Sequence, residues 1–286
     1  MDLSIVIVSW NVREKLKTNL EVISTSEGGL ESEVFVVDNN SEDGSAEMVR
    51  EKFPWVKLIA NAENFGFSKA NNQAIKQARG EFILLLNPDM KVMSDTLAKM
   101  VAWMRTNNKA DAAGCHLVDG EGKTVQQVRR FPKFLDQLAI ALKFPHIWSA
   151  VLNRYLRVDF NYSQASVVDS LRGSFFMIRR STIEKIGLLD ERYFIWFEEV
   201  DYCLRIKKAG GQVWYAPSAM CLDYVGQSFK QVARGKKQKY FRDSMLAYFK
   251  KWQPTWQYWF LKLAWELGDF ISWVGEAARV PSRVKT

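Results

Sequence analysis

The stretch Glu81-Phe-Ile-Leu-Leu-Leu-Asn-Pro-Asp89 decides the fold of this chain. Its apolar residues, Phe82 to Leu86, follow one another without alternation, as in a strand buried on both faces of an α/β sheet. Pro88 lacks a backbone donor and ends such a strand. Ligands of open α/β sheets bind outside the carboxyl ends of the strands, so this position predicts a ligand-binding role for Asp89. The alternative is a simple turn, since Asn, Pro and Asp all favour turns.

Strands and helices alternate on both sides of this stretch. Short apolar runs predict strands at Leu3 to Val8, Val34 to Val37, Val56 to Ala60 and Ala112 to Val118. Helices are predicted through Leu16 to Ile23, from Ser45, from Ser68 to Arg79 with Gly80 as the cap, and from Ser94 to Asn107. This alternation predicts an α/β fold with a mainly parallel sheet and helices on both faces.

The first strand is not followed by a GxGxxG motif, and the chain contains no Walker A loop. Phosphate must therefore be bound by other means. A divalent metal on Asp89 is the obvious candidate, because Mg²⁺ prefers one or two carboxylates together with phosphate oxygens of the substrate. Asp38 ends a neighbouring strand and could hydrogen-bond a base or a ribose, with an Asx turn or a helix cap as the alternative.

Three acids follow an aromatic run in the second half of the chain. Glu198, Glu199 and Asp201 come directly after Tyr193 to Phe197. At helical spacing, Glu198 and Asp201 share one face while Glu199 points elsewhere.

Three segments around this run have simpler interpretations. Val167 to Asp169 and Gly173 to Ile178 predict a pair of strands, and Ser181 with Glu184 predicts a capping box. The apolar segment Phe134 to Tyr155 predicts either core helices or an amphipathic flap over a lipid-bearing substrate.

The charges are distributed unevenly. The net charge is +8, and residues 229–286 contain 12 Lys and Arg but only 4 Asp and Glu, which accounts for the whole excess. A neutral body with a basic end favours contact with an acidic surface over binding of nucleic acid, which we do not expect as a partner.

The compartment is predicted from what the sequence lacks. The three cysteines form no CxxC motif, so neither a disulfide framework nor a thiolate metal site is indicated. We see no signal peptide and no uncharged run near the roughly 20 residues that span a bilayer. We therefore expect a cytoplasmic protein, either free or peripheral on the inner face of the cell membrane.

The C-terminal end differs in composition from the rest. Basic residues are frequent between Ser228 and Trp252, and an apolar helical stripe runs from Trp256 to Val274. Basic residues beside a Trp-rich amphipathic helix are typical of a segment in an anionic membrane interface. The alternative is a helix packed on the body with its lysines in solvent. Some of these lysines could also approach a bound diphosphate.

The motifs together resemble those of the family 2 glycosyltransferases, specifically the bacterial rhamnosyltransferase-like branch. The resemblance extends from about Leu3 to Gln231. In the order of the family, it includes Ser9-Trp-Asn11, Val37-Asp-Asn-Asn-Ser41, Glu63-Asn-Phe-Gly-Phe67, Asn87-Pro-Asp89, Arg129-Arg-Phe-Pro132, Gly173-Ser-Phe-Phe-Met-Ile-Arg-Arg180, Phe197-Glu-Glu-Val-Asp-Tyr-Cys203 and Gly226-Gln-Ser228.

This resemblance implies a GT-A fold, which is a Rossmann-like, mainly parallel sheet, here with a C-terminal amphipathic helical tail. The catalytic domain would comprise residues 1–228, with a nucleotide-sugar half at about 1–118 and an acceptor half at about 119–228. Residues 229–286 would form the tail.

The resemblance also implies roles for individual residues. Asp38 would recognise the base, Asp89 would bind Mg²⁺ or Mn²⁺, and Glu199 would be the catalytic base. The implied donor-binding residues are Ser9, Asn11, Asp38, Asn40, Asn64, Gly66, Phe67, Asn71 and Asn87. The implied acceptor-binding residues are Gly173, Trp196 and Asp201.

Two positions depart from the family pattern. The base is more often Asp, so the longer Glu199 leaves Glu198 as a competitor for this role. The family usually has a metal-binding His where this chain has Asp223. A carboxylate suits Mg²⁺ or Mn²⁺, although the exchange could also have abolished the metal site. His116 and His146 lie far from this motif and are expected to be structural.

The leading hypothesis is an inverting, metal-dependent glycosyltransferase of cell-surface polysaccharide synthesis. It would transfer a sugar from dTDP-rhamnose or a UDP-sugar to a glycan acceptor linked to a polyprenyl diphosphate. The alternative is a nucleotide-sugar-binding protein that has lost turnover, as the exchange at Asp223 suggests. A nucleotidyltransferase would need a Gly-rich triphosphate loop, which the sequence lacks.

Overall fold

The computed structural model describes residues 1–26, 28–224 and 231–279, with side chains as far as Phe270. The strands are β1 (Leu3–Ser9), β2 (Ser32–Asp38), β3 (Lys57–Ala60), β4 (Phe82–Leu86), β5 (Met90–Val92), β6 (Ala110–Val118), β7 (Val128–Arg129), β8 (Ser166–Val168), β9 (Ser170–Leu171), β10 (Phe175–Arg179) and β11 (Gln212–Asp223). The helices are α1 (Arg13–Ser24), α2 (Ser45–Lys52), α3 (Gly66–Ile75), α4 (Thr96–Thr106), α5 (Phe134–Ala141), α6 (Asn153–Leu156), α7 (Arg180–Ile186), α8 (Glu198–Lys208), α9 (Arg234–Trp252) and α10 (Thr255–Arg279). Short 3₁₀ turns lie at Phe144–His146 and Ser149–Leu152.

In the described part of the chain, nine strands form one mixed sheet in the order β3-β2-β1-β4-β10-β6-β11-β5, with β8 on the edge of β11. Strands β3, β2, β1 and β4 are parallel, as are β6 and β11. Strand β10 is antiparallel to both of its neighbours, β4 and β6. Strands β7 and β9 form a separate antiparallel ribbon.

The opening stretch is a strand buried on both faces, as predicted. Phe82, Leu84 and Leu86 pack into the core under α1, α2 and α4. Ile83 and Leu85 pack into a second core on the opposite face, with α3 and α8. Helices on both faces leave no side of β4 in water, which explains why its sequence is apolar without alternation.

Three local predictions are wrong. Helix α3 ends at Ile75, and Gly80 is not its cap, because the backbone N–H groups of Arg79 and Gly80 donate to the Ser4 hydroxyl. The two predicted strands of the second half do not pair with each other. Instead, β8 pairs with β11, and β10 lies between β4 and β6. Helix α7 begins at Arg180 without a side-chain cap bond, so Ser181 is not its N-cap.

The boundary predicted between catalytic domain and tail, after residue 228, falls among residues outside the described part of the chain. The helices that follow it pack on the body. Tyr248, Phe249, Leu261 and Trp265 of α9 and α10 are buried against α5 and Phe197 in a third apolar cluster. At Gly268, α10 approaches α5 so closely that a Cβ atom there would overlap the carbonyl oxygen of Ala141.

The tail packs on the body, as one of its two interpretations predicts, while its contact with a membrane stays a prediction. One face of α10 is packed on the body, but the opposite face is in solvent. Its exposed apolar residues are Trp256, Trp259, Phe260, Leu263, Leu267 and Phe270, each at least half exposed. Ile147 and Trp148, in the segment predicted as core helices or as a flap, are also exposed, whereas Ala141 of α5 is buried.

Candidate active site

The carboxyl ends of β1, β2 and β4 lie at one edge of the sheet. Ser9 and Asp38 end their strands side by side, since they are register partners. Both side chains are buried, and Ser9 Oγ and Asp38 Oδ1 have no hydrogen-bond partner among the described residues. Asp38 Oδ2 accepts a hydrogen bond from the Ser41 N–H at 2.9 Å. One oxygen of Asp38 therefore closes an Asx turn, while the other has no protein donor.

Other predicted donor-binding residues shape the loops at this edge. Asn11 accepts a hydrogen bond from the Glu42 N–H at 2.7 Å, and Asn40 is exposed with a left-handed φ of 62°. Asn71 is buried and donates to the Phe67 carbonyl oxygen at 2.9 Å. Like Ser9 and Asp38, these three residues do not line the cavity described next.

A cavity of about 400 Å³ opens at the same edge. It is lined by the predicted residues Asn64, Gly66, Phe67, Asn87, Asp89, Gly173, Trp196, Glu198, Glu199 and Asp223. Two backbone hydrogen bonds join its sides: the Phe67 N–H donates to Phe194 O at 2.6 Å, and the Asn87 N–H donates to Ser174 O at 2.9 Å. The cavity thus lies between the strand ends and the segment that leads into α8.

Asp89 and Asp223 are the candidate metal ligands. They are 3% and 2% exposed, and both line the cavity. Asp223 pairs with Met90 across β11 and β5, which places the two aspartates on neighbouring strands. Two hard carboxylates, completed by phosphate oxygens and water, fit Mg²⁺ or Mn²⁺. No group of three or more metal-ligating side chains occurs among the described residues.

The departure from the family pattern at Asp223 is informative in the structure. Arg172 Nη1 lies 3.5 Å from Asp223 Oδ2, so the aspartate that replaces the histidine faces a cation. His116 contacts the Thr124 hydroxyl at 2.9 Å, and neither His116 nor His146 lines the cavity. The Gly226 to Ser228 motif lies outside the described residues.

Helix α8 delivers the two glutamates to the cavity. Trp196 and Phe197 both have left-handed backbones, with φ of 64° and 67°, a conformation that is uncommon for bulky residues. The chain consequently turns sharply and enters the helix at Glu198. The positive end of the helix dipole lies at these carboxylates. Gly173 lies beside them, since a Cβ atom there would be 3.6 Å from Glu199 Cβ.

The two glutamates differ in their surroundings. Burial, followed by the neighbouring charge of Glu199, raises the pKa of Glu198 well above its ordinary value. Burial also raises the pKa of Glu199, but Arg129 and Arg172 oppose this shift. Each glutamate has one buried oxygen, Oε2, without a hydrogen-bond partner in the described part of the chain. The pKa of Glu198 is thus raised by burial and by a neighbouring carboxylate, whereas two arginines favour the ionised form of Glu199.

The structure gives Asp201 a structural role instead of the predicted contact with an acceptor. This residue is fully buried and does not line the cavity. Its carboxylate accepts hydrogen bonds from Lys251 Nζ at 2.6 Å, Trp252 Nε1 at 2.7 Å and Arg205 Nε at 3.0 Å. Asp201 therefore anchors α9 to α8, and its lone pairs are used within the protein.

Sequence reasoning assigned no site role to several residues of the cavity, among them Arg129, Tyr155, Arg172 and Phe241. Arg129 belonged to a recognised motif without an assigned role. Tyr155 was part of an apolar segment, and Phe241 of the tail. Their separation in sequence hides their proximity, so only the folded chain reveals them.

Comparisons with known proteins agree with this geometry. Residues 4–187, more than half of the chain, match the model of Glycosyl transferase family 2. The chain is 27% identical over 206 residues to an N-acetylglucosaminyl-diphospho-decaprenol L-rhamnosyltransferase of Mycobacterium tuberculosis, which covers 68% of this chain and 67% of the relative. It is 25% identical over 229 residues to the rhamnosyltransferase WbbL of Escherichia coli, which covers 77% of this chain and 82% of the relative.

Solved structures show the same fold. A mannosyltransferase of Pyrobaculum calidifontis, in complex with GDP-Man and Mn²⁺, superposes with a TM-score of 0.61 at 18% identity, over 98% of this chain and 81% of its own. TarS 1-349 of S. aureus, in complex with UDP-GlcNAc, superposes with a TM-score of 0.55 at 18% identity, over 86% of this chain and 65% of its own. These likenesses confirm the predicted GT-A fold. The predicted resemblance is likewise confirmed: the chain belongs to glycosyl transferase family 2.

Proposed function

We propose that this protein is an inverting, metal-dependent glycosyltransferase that acts on a glycan acceptor linked to a polyprenyl diphosphate, in the synthesis of a cell-surface polysaccharide. The supporting observation is that one cavity contains Asp89 and Asp223 at the strand ends and Glu199 at the start of α8. The relatives named as rhamnosyltransferases favour dTDP-rhamnose as the donor, with a UDP-sugar as the second choice.

Glu199 is the proposed catalytic base. It accepts the proton of an acceptor hydroxyl while that oxygen bonds to the anomeric carbon of the donor. The bond from this carbon to the nucleoside diphosphate breaks, and the diphosphate leaves with the electron pair. A single displacement needs one working carboxylate and inverts the configuration. The higher pKa of Glu198 supports Glu199 for this role, since a protonated carboxyl cannot accept the proton.

Asp89 and Asp223 are proposed to bind Mg²⁺ or Mn²⁺, and Asn64, Gly66, Phe67 and Asn87 to line the donor site. The metal would stabilise the negative charge that develops on the departing diphosphate. Ser9 and Asp38 would complete the donor site through their buried oxygens without protein partners.

A second candidate is a nucleotide-sugar-binding protein without turnover. The contact of 3.5 Å between Arg172 and Asp223 favours it, because an ion pair at a ligand carboxylate competes with a metal. The two candidates differ in one outcome. The binding protein would bind the donor but transfer no sugar to any acceptor.

The test combines the purified protein, a panel of nucleotide sugars and polyprenyl-diphosphate-linked acceptors, with Mg²⁺, Mn²⁺ or EDTA. We expect metal-dependent transfer with inversion at the anomeric carbon, and its loss in Asp89→Ala. Asp95→Ala is the matched control, since this acid is half exposed and paired only with Lys99 in α4. Transfer that is equal in EDTA, or a product with retained configuration, would contradict the proposal.

We also propose that the exposed face of α10 contacts an anionic membrane surface. The face combines large aromatic residues with Lys262, whose Nζ lies 5.4 Å from the Trp259 ring centroid. Exposed Lys236 and Lys239 of α9 add positive charge in the same tail. Aromatic and basic residues together are typical of helices that lie in an anionic interface. No helix in the described residues is long and apolar enough to cross a bilayer.

Sedimentation with vesicles tests this contact. We expect binding to vesicles that contain phosphatidylglycerol, weaker binding to phosphatidylcholine alone, and loss of binding in Trp259→Glu/Phe260→Glu. Trp55→Glu is the control, because Trp55 is 44% exposed but lies outside the tail. Equal binding of the double variant and the control would exclude the face as the contact.

A further inference from the structure

Arg129 and Arg172 bring two positive charges into a cavity whose other charged lining residues are acids. Within the described part of the chain, Arg129 has no carboxylate within 4.0 Å and forms no side-chain ion pair. Arg172 is 27% exposed, and its nearest carboxylate oxygen, on Asp223, is 3.5 Å away, beyond normal hydrogen-bond length. Guanidinium groups bind carboxylates and phosphates through several N–H donors, so this pair has unused capacity for an anion.

The ribbon of β7 and β9 holds the two arginines together. Arg129 pairs with Ser170 across the ribbon, and Arg172 follows β9 directly. The Arg172 N–H donates to Gln127 O at 3.0 Å, and the Arg130 N–H donates to Tyr155 O at 2.9 Å. The second bond fixes Tyr155, a buried phenol, beside Arg129. The arginines are therefore positioned by backbone bonds before any ligand binds.

Their location is next to the proposed base. Both arginines line the same cavity as Glu199, and their charges lower the pKa of its carboxyl group. An acceptor hydroxyl must come within hydrogen-bond reach of that carboxylate. The donor diphosphate belongs to Asp89 and Asp223, where the metal is proposed. An anion at Arg129 would consequently be part of the acceptor.

The surrounding surface agrees with an acceptor that has a lipid end. Tyr155 belongs to the same segment as Ile147 and Trp148, which are 85% and 60% exposed. The cavity thus contains the proposed base and two cations, and the segment that contributes Tyr155 to it also carries exposed apolar side chains. A lipid-diphosphate sugar has the matching groups, namely a hydroxyl, phosphates and a hydrocarbon.

We propose that Arg129 and Arg172 form an anion subsite that binds the diphosphate of the acceptor, with the Tyr155 hydroxyl as a further donor. This inference rests on the proposed function and adds to it a selectivity for acceptors that carry a diphosphate. Arg129 makes the principal contact. Arg172 serves both this anion and Asp223.

The test is a binding measurement that requires neither turnover nor knowledge of the sugar. The full-length protein is titrated with farnesyl diphosphate and with farnesol in EDTA, so that no metal can hold the diphosphate. We expect the wild-type protein to prefer farnesyl diphosphate, and Arg129→Gln and Arg172→Gln to lose about tenfold to hundredfold of this affinity. Arg154→Gln is the matched control. It removes the same charge from an exposed position in α6, next to Tyr155, and should retain the preference.

Three results would overturn the proposal. The first is an equal affinity of the wild-type protein for farnesyl diphosphate and farnesol. The second is an unchanged affinity in Arg129→Gln whose thermal unfolding matches the wild type. The third is competitive displacement of farnesyl diphosphate by a nucleoside diphosphate, which would assign the arginines to the donor. Absence of sugar transfer by the wild-type protein would instead contradict the proposed function, so the two failures are distinguishable.

Discussion

The two sides of the cavity are built differently. The donor side consists of the ends of β1, β2 and β4, together with short loops whose side chains bind their own backbone, as Asn64 accepts from the Gly66 N–H at 2.9 Å. The acceptor side combines the β7–β9 ribbon, α6, the start of α8 and Phe241 of α9. A sheet edge thus forms one side, and segments distant in sequence form the other.

This difference shows where rigidity and strain are located. The proposed donor side takes its geometry from the parallel strands β1, β2 and β4. The acceptor side depends on two left-handed residues, Trp196 and Phe197, and on the buried contacts of Asp201. Changes on the acceptor side should therefore affect sugar transfer and stability while donor binding remains.

The largest expected effect is that of Glu199→Gln. Removal of a general base should lower kcat by about a hundredfold to ten-thousandfold, whereas Glu198→Gln should have a far smaller effect because burial and the Glu199 charge raise the pKa of Glu198 and favour its neutral form. Steady-state transfer assays measure both variants, and calorimetry with the nucleotide sugar should show unchanged donor binding in Glu199→Gln. A greater loss in Glu198→Gln would make Glu198 the base.

Asp201→Ala should destabilise the protein by about 3–5 kcal/mol, because Arg205 would lose the carboxylate that compensates its charge and Lys251 would lose one of its two, keeping Asp190. Urea unfolding measures the change in free energy. Asp243→Ala is the control. It breaks a pair of 2.7 Å with Lys239 on the surface of α9, where the carboxylate is 48% exposed and the expected cost is below about 1 kcal/mol. Equal costs in the two variants would show that Asp201 does not hold α9 in place.

The pH profile should reveal the buried base. Because burial raises the pKa of Glu199, kcat/KM should fall with decreasing pH at a midpoint above the ordinary glutamate value of about 4.3. Glu198→Gln should move this midpoint little, because burial is the largest cause of the raised pKa of Glu199. A midpoint at or below the ordinary value would contradict a buried base.

The smallest expected effect is a gain in stability in Glu198→Gln. The folded-state pKa of Glu198 is raised, so its contribution to stability is present below the unfolded pKa and is lost as pH rises through the folded pKa. The variant should therefore unfold at a higher temperature than the wild type at pH 7, but not at pH 4. Thermal unfolding at both pH values measures the difference. Glu121→Gln, at an exposed glutamate, should leave the unfolding temperature unchanged at both pH values.

The parts of the fold that follow from local sequence were predictable. The unbroken apolar run of β4 and the Asn-Pro-Asp that ends it placed Asp89 at the strand ends, where it lies. The motifs at Asn64 to Phe67 and at Glu198 to Glu199 also predicted residues that line the cavity. Each motif is a short contiguous stretch, so its residues lie together without help from distant contacts.

The remaining parts depend on contacts between distant segments. Periodicity cannot show that β10 enters the sheet between β4 and β6, nor that α3 ends early because Ser4 binds the backbone at Gly80. The buried position of Asp201 likewise depends on Lys251 and Trp252, which lie in the tail. Helical spacing predicted which face of α8 carries Asp201. The contacts with α9 determine what that face packs against.

The close approach at Gly268 determines how α10 lies on α5. Because any side chain there would meet the Ala141 carbonyl group, α10 can lie against α5 at this distance only with glycine. The aromatic face of α10 is rigidly coupled through α5 to the wall of the cavity. If the aromatic face rests on lipid, the height and tilt of the cavity entrance above the membrane plane are fixed by one backbone contact. A larger residue at this position would change the distance from the cavity to the membrane without changing any residue of the cavity.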